Sequence, residues 1–148
     1  MIPEIGHFAL VLAFCASLLL AGVPALGYAL GHQTLLASAN RLALIQMALV
    51  SVSFACLAAA FLGDDFSVAI VALQSNTQLP THYKFTALWG GHEGSLLLWV
   101  LILAGWTAAV ALTGKHIPLS VKAVVLATMG AIAVGFISFM LFTSNPFD

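Results

Sequence analysis

Charge is what this chain has least of. Only 6% of its 148 residues are Asp, Glu, Lys or Arg, where an ordinary soluble domain carries roughly a quarter. So few charges cannot cover a water-soluble domain of this length, and 62% of the residues are hydrophobic. No basic stripe exists, which removes the electrostatic footprint a nucleic-acid partner needs. Cysteine is almost absent as well. Cys15 and Cys56 both lie inside apolar runs and form neither a CxxC redox pair nor a metal knuckle. Each falls about seven residues inside the same face of the membrane, so the two can be neighbours at equal depth, packed as small hydrophobes. The amino terminus lacks the positive n-region of a signal peptide, and its apolar run is too long for one.

What the chain does have is long apolar runs. Four of them, 8–31, 42–63, 95–113 and 119–142, approach or exceed the about 20 residues needed to cross a bilayer. The expectation is an all-α integral membrane protein with four transmembrane helices. Arg41 falls in the first connection and Lys115 and Lys122 flank the second, so both short connections belong on the cytoplasmic side. The long connection, 64–94, carries Lys84 against Asp64, Asp65 and Glu93 and belongs outside with both termini. Within the spans Gln46 falls near the cytoplasmic end of the second helix and Lys122 can snorkel to the interface. No ionisable group falls at mid-membrane, which disfavours a channel or proton relay built from this chain alone.

Small residues mark where helices meet in lipid. Ala123, Ala127, Ala131 and Gly135 recur every four residues along the fourth helix, and Gly27 and Gly31 end the first. Pro24 frees a backbone carbonyl one turn earlier and predicts a kink in the first helix.

Chemistry is concentrated in the long loop, which exceeds the about 12–15 residues usual for a structureless connection. Its first part, 66–73, is too apolar for a solvated tail and too short to span, so it belongs on the membrane surface or against the helices. His82, Tyr83, Lys84, Phe85, Trp89, His92 and Glu93 then follow closely, with Trp99 just inside the third span. Imidazoles that can reach iron, aromatic faces and a cation suit haem or another large planar ligand. Taken singly, His82 and His92 equally fit interfacial histidines bonded to backbone, and the aromatics equally fit an interfacial belt. The turn Trp89-Gly90-Gly91-His92-Glu93-Gly94-Ser95 is more specific. Its glycines permit close backbone approach, Ser95 is placed to cap the following helix, and Glu93 sits near that helix's positive end.

Four stretches then resemble a known family, the CcmF/NrfE cytochrome c haem lyase subunits of bacterial and plant-mitochondrial cytochrome c maturation. They are Met1-Ile2-Pro3-Glu4-Ile5-Gly6, Ser75-Asn76-Thr77-Gln78-Leu79-Pro80, the run from Trp89 to Trp99, and Phe142-Thr143-Ser144-Asn145-Pro146-Phe147. The resemblance implies a larger polytopic bundle continuing beyond Asp148, of which 1–148 is the amino-terminal four-helix segment. It implies haem as the cofactor handled, with the iron ligands and the tryptophan-rich haem-binding segment outside this chain. Implied partners are other cytochrome c maturation membrane proteins, a haem chaperone and apocytochrome c. The implied location is the bacterial inner membrane with the long loop periplasmic, rather than a plant mitochondrion. The family's product is a thioether bond between haem vinyl groups and the CxxCH cysteines of the substrate. No catalytic or metal-ligating residue is therefore expected here, and the segment alone is not expected to catalyse. Contacts with haem or a partner fall to Trp89, Gly90, Gly91, His92, Glu93, Trp99, His82 and Lys84. The alternative is a structural membrane subunit, or a truncated fragment, that binds no ligand.

Overall fold

A computed structural model describes residues 2–74, 76–78, 80–88, 92–143 and 145–147. All the regular structure among them is helical: α1 (Ile2–Leu30), α2 (Gln33–Leu62), α3 (Ala69–Gln74), α4 (Thr81–Ala87), α5 (His92–Thr113) and α6 (Leu119–Phe142). Helices α1, α2, α5 and α6 are long and apolar enough to cross a membrane. The protein is thus an all-α membrane segment with four spans, as composition requires.

The first two helices are longer than hydropathy alone predicts. α1 starts at Ile2 and α2 at Gln33, not near residues 8 and 42. Hydropathy registers only uninterrupted apolar stretches, whereas 33–41 is helical because one face of it is buried: Leu36 and Ala39 join Leu20, Ala43 and Leu126 in a core cluster. The first connection shrinks to Gly31 and His32. Gly31 takes φ 71° and the His32 N–H reaches the Gly27 carbonyl at 3.0 Å, a left-handed helix cap. Arg41 consequently lies inside α2 rather than in a connection, and Gln46 sits near the middle of that helix rather than near its end.

The long helices pack in an antiparallel ring, α1 on α2, α2 on α5, α5 on α6 and α6 back on α1, with α2 and α6 also touching across it. Side chains fix the register. Gln46 Nε2 donates to Ser17 Oγ at 2.7 Å, and that hydroxyl donates to the Ala13 carbonyl at 2.8 Å, all fully buried. Where α1 passes Leu35 of α2, Gly27 has no room for a side chain, a Cβ there falling 2.6 Å from Leu35 Cβ. The same register brings Cys56 beside Gly6 rather than Cys15, because α2 begins nine residues earlier than expected, directly after the short turn at Gly31 and His32.

α6 meets α1 at Gly130, where an added Cβ would lie 2.9 Å from Leu20 Cγ and 3.1 Å from the Ala21 nitrogen. The buried stripe of α6 runs Ala123, Ala127, Gly130, Ala133, Ile137 and Met140. Ala131 and Gly135, expected on this seam, are exposed. A strict four-residue repeat drifts about 40° per step on a helix of 3.6 residues per turn, so it leaves the interface after two steps. α1 continues as helix through Pro24, which is buried. Lys122 is also buried and donates to the Ala111 carbonyl at 2.8 Å, satisfying an orphan acceptor in the last turn of α5.

Substituting Gly130 with Val is expected to destabilise the purified 148-residue chain in detergent by about 1–3 kcal/mol through overpacking. Gly135→Ala, with open space around it, is expected to be neutral or stabilising by up to about 1 kcal/mol. Unfolding midpoints of the two variants check this.

Candidate functional site

The chain between α2 and α5 defines one end of the bundle, here the loop end; the two short connections define the turn end. The loop is seated, not splayed. Val68, Ile70, Val71 and Leu88 are buried in the same core cluster as Leu10, Phe61, Leu97 and Ile137. The apolar 66–73 stretch therefore packs against the helices, one of its two expected placements.

An ion pair locks this arrangement. α2 ends with the Asp65 N–H on the Ala60 carbonyl at 2.9 Å and the Asp64 N–H on the Phe61 carbonyl at 3.3 Å. That pattern puts Asp64 at the left-handed capping position, φ 54°, where glycine is usual and Asp is tolerated. A carboxylate there faces the negative end of the helix dipole. Lys84, reaching from α4, neutralises it: its Nζ donates to Asp64 Oδ2 at 2.7 Å, with side chains 10% and 23% exposed. The lysine expected to meet a ligand anion is thus committed to holding α4 against the end of α2.

The first and last motifs meet across α1 and the residues after α6. Asn145 Oδ1 accepts the Phe147 N–H at 2.9 Å, which orients the amide so that Nδ2 donates to His7 Nδ1 at 3.1 Å. The Phe147 ring lies over Gly6, where an added Cβ would fall 2.5 Å from it. Pro3, Glu4, His7, Ser67, Val68 and Phe147 line a cleft of about 330 Å³ beside these contacts. Asn76 makes a similar local turn in the second motif, accepting the Gln78 N–H at 2.9 Å. His7 is the residue that sequence reasoning missed. Its one signal was adjacency to the first motif.

Of the expected contact residues, His82 is exposed on α4, its ring centroid 4.2 Å from that of its exposed neighbour Tyr83. Trp99 is 62% exposed on α5, and Trp106, two turns on, shares that face. Trp89, Gly90 and Gly91 lie outside the described residues, as do the side chains of His92 and Glu93. α5 already begins at His92, so Ser95 lies in its first turn and does not cap it. Among the described residues no group of three His, Cys, Asp or Glu side chains can hold a metal. The cleft offers one imidazole, already bonded through Nδ1. What the described residues of the cleft offer is apolar surface, hydrogen-bond capacity and shape.

Fold and site together define a segment of a polytopic membrane protein whose motifs gather at one end of a helical bundle. No family model matches the chain. It is 51% identical to the cytochrome c-type biogenesis protein CcmF of Pseudomonas aeruginosa, over 100% of this chain and 22% of that protein. Against CcmF of Escherichia coli (strain K12) identity is 50%, over 100% of this chain and 23% of that protein. Against NrfE of Haemophilus influenzae it is 42%, over 99% and 23%. A solved structure of the cytochrome c haem lyase CcmF superposes with a TM-score of 0.94 at 30% identity, over 100% of this chain and 25% of that one. The chain belongs to the CcmF/NrfE family of cytochrome c-type biogenesis proteins. It spans under a quarter of the length of these three curated relatives.

Removing one partner from the loop-end ion pair strands a partly buried charge. Lys84→Met is expected to lower stability by about 1–3 kcal/mol and to speed amide exchange across 81–87. Asp64→Asn in the same chain should recover part of the loss, which a double-mutant cycle on unfolding midpoints reads directly.

Proposed function

We propose that this chain is the amino-terminal membrane segment of a cytochrome c haem lyase, shaping the loop-end surface where haem is handled and presented to apocytochrome c. The observation that carries this reading is convergence. The four sequence stretches that resemble the family, far apart along the chain, begin or end the elements that meet at the loop end. Supporting it, the relatives bear cytochrome c biogenesis names and a matching structure is a haem lyase.

In this reading the segment contacts and positions rather than ligates. The site residues are Trp89, Gly90, Gly91, His92, Glu93 and Trp99, with His82 beside them and Lys84 holding α4 in place. Bound haem supplies the vinyl groups that the substrate's cysteines attack. The partners are other maturation proteins, a haem chaperone and apocytochrome c. The segment sits in the bacterial inner membrane with the loop end facing the periplasm. That orientation is supported by Lys115 and Lys122 near the turn end and by Glu4, Asp64, Asp65 and Glu93 near the other.

Two measurements test this. With the native cysteines replaced, an impermeant thiol reagent is expected to label Ser75→Cys and to spare His116→Cys in intact spheroplasts; the reverse pattern inverts the topology. In a complementing full-length protein, Gly91→Val and Trp89→Ala are each expected to cut haem-stained holocytochrome at least several-fold per unit of immunodetected subunit. Ala69→Val, in the same loop, should leave it unchanged. Normal yield from both turn variants defeats the proposal.

A further inference from the structure

Among the described residues Arg41 is the one basic side chain of a span that the fold leaves exposed a full two turns inside its helix. Three contacts set its depth. Ser17 meets Gln46 and Gly27 meets Leu35 across α1 and α2, which puts Arg41 opposite the turn of α1 at Ala21 and Gly22. That turn meets Gly130, the centre of α6 (Leu119–Phe142). Arg41 thus stands about 12 Å along α2 from Gln33, at the 1.5 Å rise of a helix, and level with the middle of α6.

Its surroundings hold no counter-charge. Among the described residues Arg41 has no hydrogen bond or ion pair. Glu4, Asp64, Asp65 and Glu93 all sit at the loop end, and Asp64 lies about 35 Å up the same helix. Lys122, in contrast, reaches a carbonyl at the turn end. A charge at this depth almost always faces protein or a water-filled cavity and finds a partner there. The exposed face that carries it has the composition of a helix interface, with Ala37, Arg41, Leu44, Ala48, Ala55 and Ala59 recurring at three-, four- and seven-residue steps.

We infer that this face of α2 is an interface with a further transmembrane helix of the full-length family architecture, and that this helix presents a carboxylate to Arg41 at mid-membrane. Charge complementarity demands the acid. The relatives have further chain from which it can come, since this chain covers 22% of one and 25% of a matching structure. A helix with small residues along its contact line approaches closely enough for the guanidinium to be shielded from lipid on both sides.

The test uses a full-length protein containing this segment, in its native membrane. Leu44, one turn from Arg41, is replaced by photoreactive benzoyl-phenylalanine, and the adduct is mapped after illumination. The expected adduct is intramolecular, on an apolar helix with an Asp or Glu within one turn of the crosslinked residue. Neutralising that acid and Arg41→Gln should each lower the amount of folded protein several-fold. Arg41→Lys should retain more than Arg41→Gln. Adducts only with lipid, adducts with a second copy, or a crosslinked helix without an acid would each overturn the proposal. The crosslink is read on a protein with Arg41 intact, so a variant that fails to accumulate does not obscure the answer.

Discussion

The buried bond between Gln46 and Ser17 sets the register on which the rest of this segment depends. Helices in lipid gain nothing by hiding apolar surface from one another, so small residues and a few polar contacts decide how they meet. Once Gln46 faces Ser17, Gly27 must pass Leu35 and Cys56 must lie beside Gly6. That alignment sets where α1 presents Leu20 to Gly130 and how far the loop end of α1 and α2 extends. Such a bond contributes only about 0.6–2 kcal/mol. Its value lies in selecting one alignment among several of similar packing energy.

From that register the loop end follows. α2 delivers Asp64 to a left-handed cap where its carboxylate meets Lys84 of α4, and Val68, Val71 and Leu88 complete the core beneath. α1 delivers His7 and Gly6 to the residues following α6, which bond and stack on them through Asn145 and Phe147. Together these contacts hold the loop end in one arrangement against the bundle.

Polar atoms in the spans are used sparingly. Thr107, Thr128 and Ser17 return their hydroxyls to carbonyls one turn back, and Lys122 completes the end of α5. Arg41 stands apart because no hydrogen bond or ion pair among the described residues answers its charge.

The sequence by itself determined that the chain crosses a membrane four times, that it belongs beside the haem lyase subunits, and that its distinctive residues lie near the long loop. These are properties of composition and of short ordered motifs, and hydropathy or matching reads them directly. Only the tertiary structure decided that α2 starts at Gln33, that Arg41 therefore lies inside a span on its exposed face, that Lys84 is spent on Asp64, and that His7 belongs with Asn145. The reason is that each of these rests on a pairing between residues far apart in the chain, 17 against 46, 64 against 84, 7 against 145. Local periodicity carries no record of a partner's register. The segment 33–41 reads as polar one residue at a time, and its buried face, Leu36 and Ala39, is legible only once α1 and α6 are there to cover it.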